Sequence, residues 1–431
     1  MMFYKETHFQ DAPIIGKVAS DWDIVKLGDV LLLLRNGLTI RQSKEGNGYP
    51  VTRIETISEE YIDPNKVGYI QDLSESEINE YRLQNGDILF SHINSLDHIG
   101  KTAIYEGKPE LLIHGMNLLL LRPDKEKIHP KFLLYLLRLY RVRNIFRAIS
   151  KKAVNQASIN QTELGRIKIL LPPLEEQRVI AGVLGVVDSV IAKTDEVIAK
   201  TERLKRGLMQ ILLTRGIGHK EFKETEIGKI PKTWDVLRLE DVTKQFISGG
   251  TPSTKNPKYW NGDIPWIRSV HLTRYYVDET SIEQFITKEG LENSASNIVP
   301  KGNVIIATRV GVGKSAVNLI DVAINQDLTG LIIDKSKIDP FFLVWYLLSP
   351  KILSILESFT RGTTIKGIAQ NHIKNLLIPL PPIDEQRRIA EILSAVDRKL
   401  EFERYEKARL ERIKRGLMDL LLTGKVRVKV E

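Results

Sequence analysis

The chain has no cysteine among its 431 residues, which excludes disulfides, thiolate metal sites and cysteine nucleophiles before any motif is weighed. Long apolar runs are missing too. Stretches such as residues 31–34 and 118–121, both LLLL, fall far short of the roughly 18 to 20 residues a membrane-spanning helix needs. The opening MMFYKETHFQD has neither an apolar core nor a small-residue cleavage site, so the expectation is a cytoplasmic protein. A surplus of acid is also absent: 63 Lys and Arg face 54 Asp and Glu, a net +9 that favours polyanionic partners. At 42% hydrophobic residues the chain is too apolar for intrinsic disorder, and its length suggests about three structural units at roughly 150 residues each.

Catalytic motifs are missing as well. Gly311-Val312-Gly313-Lys314-Ser315 resembles the end of a phosphate-binding loop, but Thr308 stands where the leading glycine is required, and the following SAVNLIDVAI reads as strand rather than helix. Gly100-Lys101-Thr102 fails in the same way, with Ser95 at the leading position. His92, Asp97 and His98 follow no metal-ligand spacing and read as polar loop residues. There is no acidic-x-Lys nuclease element between Pro123-Asp124 and Pro172, no asparagine-proline-proline-aromatic loop of an amino-methyltransferase, and no glycine-rich fingerprint for a nucleotide-derived methyl donor.

What the sequence does contain is written twice. Residues 171–214 align without a gap on residues 380–423, at an offset of 380 − 171 = 209, and about half of the positions are identical. Upstream, KETHFQDAPIIGKVASDWDIVKLGDV echoes KETEIGKIPKTWDVLRLEDV, with Trp22 opposite Trp234. In each copy a Pro-Pro pair (Pro172-Pro173, Pro381-Pro382) ends a strand-like run, and a helix of about 40 residues is predicted to follow. Ile180, Leu184, Val187, Ile191, Ile198, Leu204, Leu208 and Ile211 form one stripe, and Ile389, Leu393, Val396, Leu400, Leu410, Ile413, Leu417 and Leu420 form its counterpart. Helices this long pack most readily on each other, and the expected seam is Ile180, Leu184, Val187, Ile191, Ile198 and Leu208 against Ile389, Leu393, Val396, Leu400, Leu410 and Leu417, running antiparallel.

The variable regions read as α+β. GDILFSHI and GNVIIATR look like strands, while residues 130–149 and 340–356 look like helices with an apolar face. The division is therefore 1–170, a first α/β recognition region; 171–215, long helix; 216–379, a second recognition region; and 380–425, long helix. Residues 248–274 carry hydroxyls and cations suited to phosphates and base edges: Thr251, Ser253, Lys255, Lys258 and Arg268. Trp260 and Trp266 read as core anchors of that loop. Arg35, Arg41 and Lys44 occupy the matching place in the first half. A second basic stretch precedes each long helix, with Lys151 and Lys152 in one half and Arg361 and Lys366 in the other.

The SGGTPS…YW…GDIPW…R run at 248–268, the RGTTIKGI stretch at 361–368 and LPP(L/I)xEQ with its long helix in both copies resemble the DNA-specificity subunit of type I restriction-modification systems, over essentially the whole chain. The first half lacks the GGTPS and RGTT runs. The resemblance implies two target-recognition domains, each reading one half of a split, asymmetric double-stranded DNA site, related by a pseudo-two-fold duplication. It implies helices that set the spacing of the half-sites and dock two methylation subunits, with restriction subunits in the full complex. It also implies no catalytic residue, metal or cofactor in this chain, the partners using S-adenosylmethionine, ATP and Mg2+. The alternative is a coiled-coil adapter without sequence-specific DNA binding.

Overall fold

The computed structural model describes residues 2–12, 15–44, 46–153, 156–360 and 367–429. The chain divides into two compact units, one made of Met1–Asp195 with Glu406–Glu431 and the other of Glu196–Tyr405. Both are α+β. The first is built on a four-stranded antiparallel sheet in the order Thr102–Ile104, Ile88–Phe90, Leu119–Pro123, Leu31–Asn36. The second has a five-stranded sheet in the order Thr243–Ser248, Leu328–Ile333, Val304–Ala307, Ser315–Asn318, Tyr276–Val277. A further sheet in that unit runs Gln284–Ile286, Trp260–Ile267, Val322–Ile324, Asn297–Val299, where the first unit has, among the described residues, the pair Tyr49–Val51 and Gly68–Ile70. The two lysine-containing glycine stretches are turns of this scaffold: positive-φ Gly311 and Gly313 lie between the paired strands Val304–Ala307 and Ser315–Asn318.

Each apolar segment expected as one helix is two. Pro130–Arg138 is followed by Tyr140–Ile149, and Pro340–Leu347 by Pro350–Ser358. In the second unit Pro350 holds Ser349 extended (φ −67°, ψ 143°) and bends the pair by 66°. In the first unit buried Leu139 takes a similar conformation (φ −58°, ψ 131°), and the turn lets the second helix bury Val142, Ile145 and Phe146.

The long helices are continuous over Leu174–Arg215 and Ile383–Leu421, 42 and 39 residues, or about 63 and 58 Å. Within each unit their segments run antiparallel. Asp188 pairs with Lys414 at 2.5 Å and Asp195 with Lys407 at 2.6 Å in the first; Glu202 pairs with Arg404 at 2.7 Å and Asp397 with Lys205 in the second. The Asp188–Lys414 and Asp397–Lys205 pairs occupy repeat-equivalent positions, and each lysine also lies over an aromatic ring, Tyr135 at 5.7 Å and Trp345 at 4.9 Å.

Of the expected seam, Ile180, Leu184, Ile389, Leu393 and Leu400 are buried, while Val187, Ile191, Ile198, Leu208, Val396, Leu410 and Leu417 are half-buried. The buried stripe is narrower than the spacing predicts: Leu204, Ile211, Ile413 and Leu420 are exposed. Toward its ends each helix is gripped by the head as well as by its partner, which turns other positions inward. Met209, Leu212 and Leu213 join Trp234, Ile389 and Leu393 in the second unit's core, and Met418, Leu421 and Leu422 join Ile180, Ala181 and Leu184 in the first.

The EQ pair at each helix start explains how head and helix are fixed. Buried Trp22 and Trp234 donate their indole N–H to Glu176 (3.2 Å) and Glu385 (3.0 Å). Buried Gln177 accepts from the His129 N–H at 2.7 Å and donates to the carbonyls of Lys127 and Pro172. Gln386 repeats this with the Asp339 N–H at 2.8 Å and the carbonyls of Lys337 and Pro381. One buried amide thus satisfies three main-chain groups. Gln386→Leu is expected to cost about 2 to 4 kcal/mol, from roughly 1 to 3 kcal/mol for each buried group left unpaired, read by calorimetry as earlier melting of the second unit.

Candidate nucleic-acid interface

In the second unit the chain leaves strand Thr243–Ser248 through Gly249 and Gly250, pressed against the carbonyls of Ile324 and Asn325 so closely that a Cβ at Gly249 would overlap them. The Gly250 N–H donates to Ile324 at 3.0 Å. Two tryptophans then brace the loop. Buried Trp266 donates its indole N–H to the Gly250 carbonyl (3.2 Å), half-buried Trp260 donates to the Ser253 carbonyl (3.2 Å), and the rings meet edge to face at 5.2 Å. Loop backbone is thereby fixed while the side chains of Thr251, Ser253, Lys255 and Lys258 stay exposed. The Thr251 hydroxyl donates to Gln326 at 2.5 Å, and Thr287 donates to the Lys258 carbonyl at 2.8 Å. Arg268 is exposed, its guanidinium 6.0 Å from the centre of the Trp266 ring. These five residues therefore hang on one aromatic brace.

Arg361 and Lys366 lie outside the described residues. Just past them Ile368 bonds to the Thr308 carbonyl at 2.8 Å, beside the turn that carries exposed Arg309 and Lys314. The sequence shows Lys314 only as part of a failed phosphate-loop match, so Arg309 and Lys314 are not among the expected interface residues.

The first unit uses the same exit without the tryptophans. A Cβ on Gly37 would overlap the Gly115 carbonyl and one on Gly115 would overlap the Thr52 carbonyl, the Leu38 N–H donates to the His114 carbonyl at 2.9 Å, and the Gly115 N–H donates to the buried Thr52 hydroxyl at 2.9 Å. Arg35 is engaged away from the loop: it bonds Glu80 at 2.9 Å and lies 4.0 Å over the Tyr81 ring. Arg41 opens onto a cavity of about 470 Å³ that Gln42, Arg53, Glu55, Met116 and Asn117 also line. Lys44 is exposed nearby. Burial tends to raise the Glu55 carboxyl, but its own backbone N–H, Arg53 and Lys44 outweigh that and hold it below the usual range. Lys151 lies on a separate three-stranded sheet, Lys151–Ala153, Gln156–Ser158 and Ile93–Asn94, with Glu163 3.9 Å away. The Lys152 side chain lies outside the described residues.

Arg53 is a further residue absent from the sequence-based expectation. It precedes the turn Ile54–Ile57 as Arg268 precedes Ser269–His271, with nearly the same backbone (φ −127°, ψ 171° against φ −121°, ψ 171°), and in both the N–H donates to a side chain three residues on at 2.9 Å. The signal was Pro-x-x-Arg at Pro50 and Pro265, at an offset of 215 instead of 209.

Burial pushes the imidazoles of His92 and His114 down to about 4, so both are neutral at pH 7. Among the described residues no group of three or more histidines and carboxylates is arranged to hold a metal ion.

A family model described as the type I restriction modification DNA specificity domain matches residues 19–203 and again 231–412. A Methanocaldococcus jannaschii chain named provisionally as the type I restriction enzyme MjaX specificity subunit is 43% identical over the whole of this chain and 99% of its own. The type I restriction enzyme MjaVIII specificity subunit of the same organism is 30% identical over the whole chain and 98% of its own. In fold, the S subunit of the type I restriction-modification system of M. genitalium aligns with a TM-score of 0.58 at 15% identity, over 95% of this chain and 97% of that one. A chain from a structural study of complex assembly and conformational transition in the type I R-M system gives 0.55 at 20% identity, over 95% and 99%.

Proposed function

Because the chain belongs to the type I restriction-modification DNA specificity family, we propose that it is the sequence-recognition subunit of a type I complex, each unit reading one half of a bipartite, asymmetric duplex site. The observation that carries this is the braced loop of the second unit, where two indoles fix the backbone and leave two hydroxyls, two lysines and an arginine facing outward. Fixed loops that present flexible cations position a protein on phosphates, and rigidly held donors read base edges. A bare coiled-coil adapter has no use for such loops. The long helices set the interval between the half-sites and carry two methylation subunits. Support for docking comes from apolar side chains turned outward on each unit's helix segments: Val186 and Val190 in the first, and Leu204, Ile211, Phe402 and Tyr405 in the second. In the first unit a further cavity of about 620 Å³ lies against this face, lined by Phe3, Val179, Val183, Val186 and Val187. Exposed apolar stripes of this kind mark protein contacts.

In this reading the chain performs no chemistry. S-adenosylmethionine, ATP and Mg2+ serve the methylation and restriction subunits, and the complex works in the cytoplasm, on genomic DNA. The test is binding of the chain, assembled with its methylation subunits, to duplex DNA over a range of salt. Lys255→Ala and Lys258→Ala are each expected to weaken all duplexes alike and to flatten the slope of log affinity against log salt by about one. Salt-insensitive binding by the unaltered complex would refute the proposal.

A further inference from the structure

The first unit's half-site reader is less evident than the second's, since its expected arginine, Arg35, is tied to Glu80 and Tyr81. Arg53 stands in its place with a different kind of support. Its stem is covered, the side chain being 24% exposed, and it packs on Gly68, where even a methyl group would stand 3.2 Å from the arginine Cδ. The backbone is fixed by the bond from its own N–H to Thr56. Its Nε donates to Glu55 at 3.4 Å, which orients the guanidinium, and Arg53 lines the cavity that Arg41, Gln42 and Asn117 share.

These features separate reading a base from holding a phosphate. A phosphate contact needs charge and tolerates motion, whereas base discrimination needs donors held in one place. The Glu55 carboxylate beside the guanidinium repels a phosphate but not the neutral edge of a base. Arg41, exposed and without an ion pair among the described residues, has the opposite character and suits the backbone. We propose that Arg53, positioned by Glu55, reads a guanine through its O6 and N7 in the half-site of the first unit, the pairing that an arginine fork makes in the major groove. The proposal rests on the DNA-recognition reading above and assigns one residue to one base.

The experiment uses the whole chain, co-expressed with its methylation subunits in a host free of other methylation, with modified positions mapped across the genome. Arg53→Ala is expected to remove the requirement for guanine at one position of one half-site and to leave the other half-site unchanged. In binding, preference for the cognate duplex over one substituted at that position should fall by about one to two orders of magnitude, with the salt slope unaltered. Glu55→Gln should lower the same preference, and Arg41→Ala should instead weaken every duplex equally. Arg53→Met keeps the stem on Gly68 and is read in place of the alanine variant if that one does not fold. An unchanged motif in Arg53→Met, or uniform weakening with a flatter salt slope, would overturn the assignment. Loss of all base preference in the unaltered complex would instead overturn the underlying reading, so the two failures are distinct.

Discussion

Arg427→Met is expected to lower the melting temperature of the first unit by roughly 6 to 20 °C. Arg427 is 6% exposed and bonds three carboxylates: Glu176 through Nε (2.8 Å) and Nη2 (2.9 Å), Asp21 through Nη1 (2.6 Å) and Nη2 (3.0 Å), and Glu6 through Nη1 (2.9 Å). Glu176, 3% exposed, also accepts the Trp22 indole N–H. Without the guanidinium a buried carboxylate is left with no counter-charge, which costs about 3 to 5 kcal/mol, and a unit of this size loses about 2 to 4 °C per kcal/mol. Calorimetry checks the shift. Adding Glu176→Gln to the variant removes the stranded charge and should recover much of the loss, which distinguishes charge burial from loss of packing.

The same cluster gives the first unit an acid limit. The His8 and Thr7 N–H groups, and after them Arg427, hold the Glu6 carboxyl below its ordinary value of 4.5. The folded state therefore binds that proton less readily than the unfolded chain does. Its stabilisation is complete above about pH 4.5 and fades as pH falls through the lower folded value. In Arg427→Met the folded value moves back toward the ordinary one, so this contribution shrinks.

The second large effect is on the DNA sequence itself. Lengthening both helices by four residues, between Asp195 and Glu196 and between Tyr405 and Glu406, is expected to shift recognition to a site whose spacer is one base pair longer. These positions avoid buried Met209, Leu212 and Leu213, whose seats in the second unit a more terminal insertion would disturb. Four helical residues add about 6 Å and about 400°, a net 40°. One base pair adds about 3.4 Å and about 34° to 36°. The rotation nearly matches, and the excess of about 2 to 3 Å is within what a slight bend of the DNA absorbs. Mapping methylated sites decides the matter. An unaltered spacer in an active variant would mean that the helices do not measure the interval.

The duplication was legible in the sequence because packing demands repeat at a fixed distance. The identities between the two copies gather at both ends of the helices, LPPxxEQR at one and KRGLM at the other, and those ends are gripped by the heads. The middles contact mainly one another and have diverged. Leu204 and Ile413 show the limit of a stripe read from spacing alone, which cannot tell a side chain facing the partner helix from one a quarter-turn away. The interface was harder. Arg35 and Arg41 lie six residues apart in one basic run, yet one is spent on Glu80 and Tyr81 and the other opens on a cavity. Charge alone does not reveal which carboxylate or ring the fold brings alongside. Arg53 stayed hidden because insertions move its match with Arg268 away from the helix offset.

The strand Val426–Lys429 that pairs with Met2–Lys5 has a consequence for synthesis. The second unit is one contiguous stretch, Glu196–Tyr405, and has all its residues once Tyr405 has left the ribosome. The first, though begun earlier, must wait for Glu406–Glu431. Until Arg427 emerges, the nascent chain carries Glu176 and Trp22 without the group that neutralises and covers them. The usual order, in which the N-terminal domain of a growing chain folds first, is thus reversed: what is translated first is finished last.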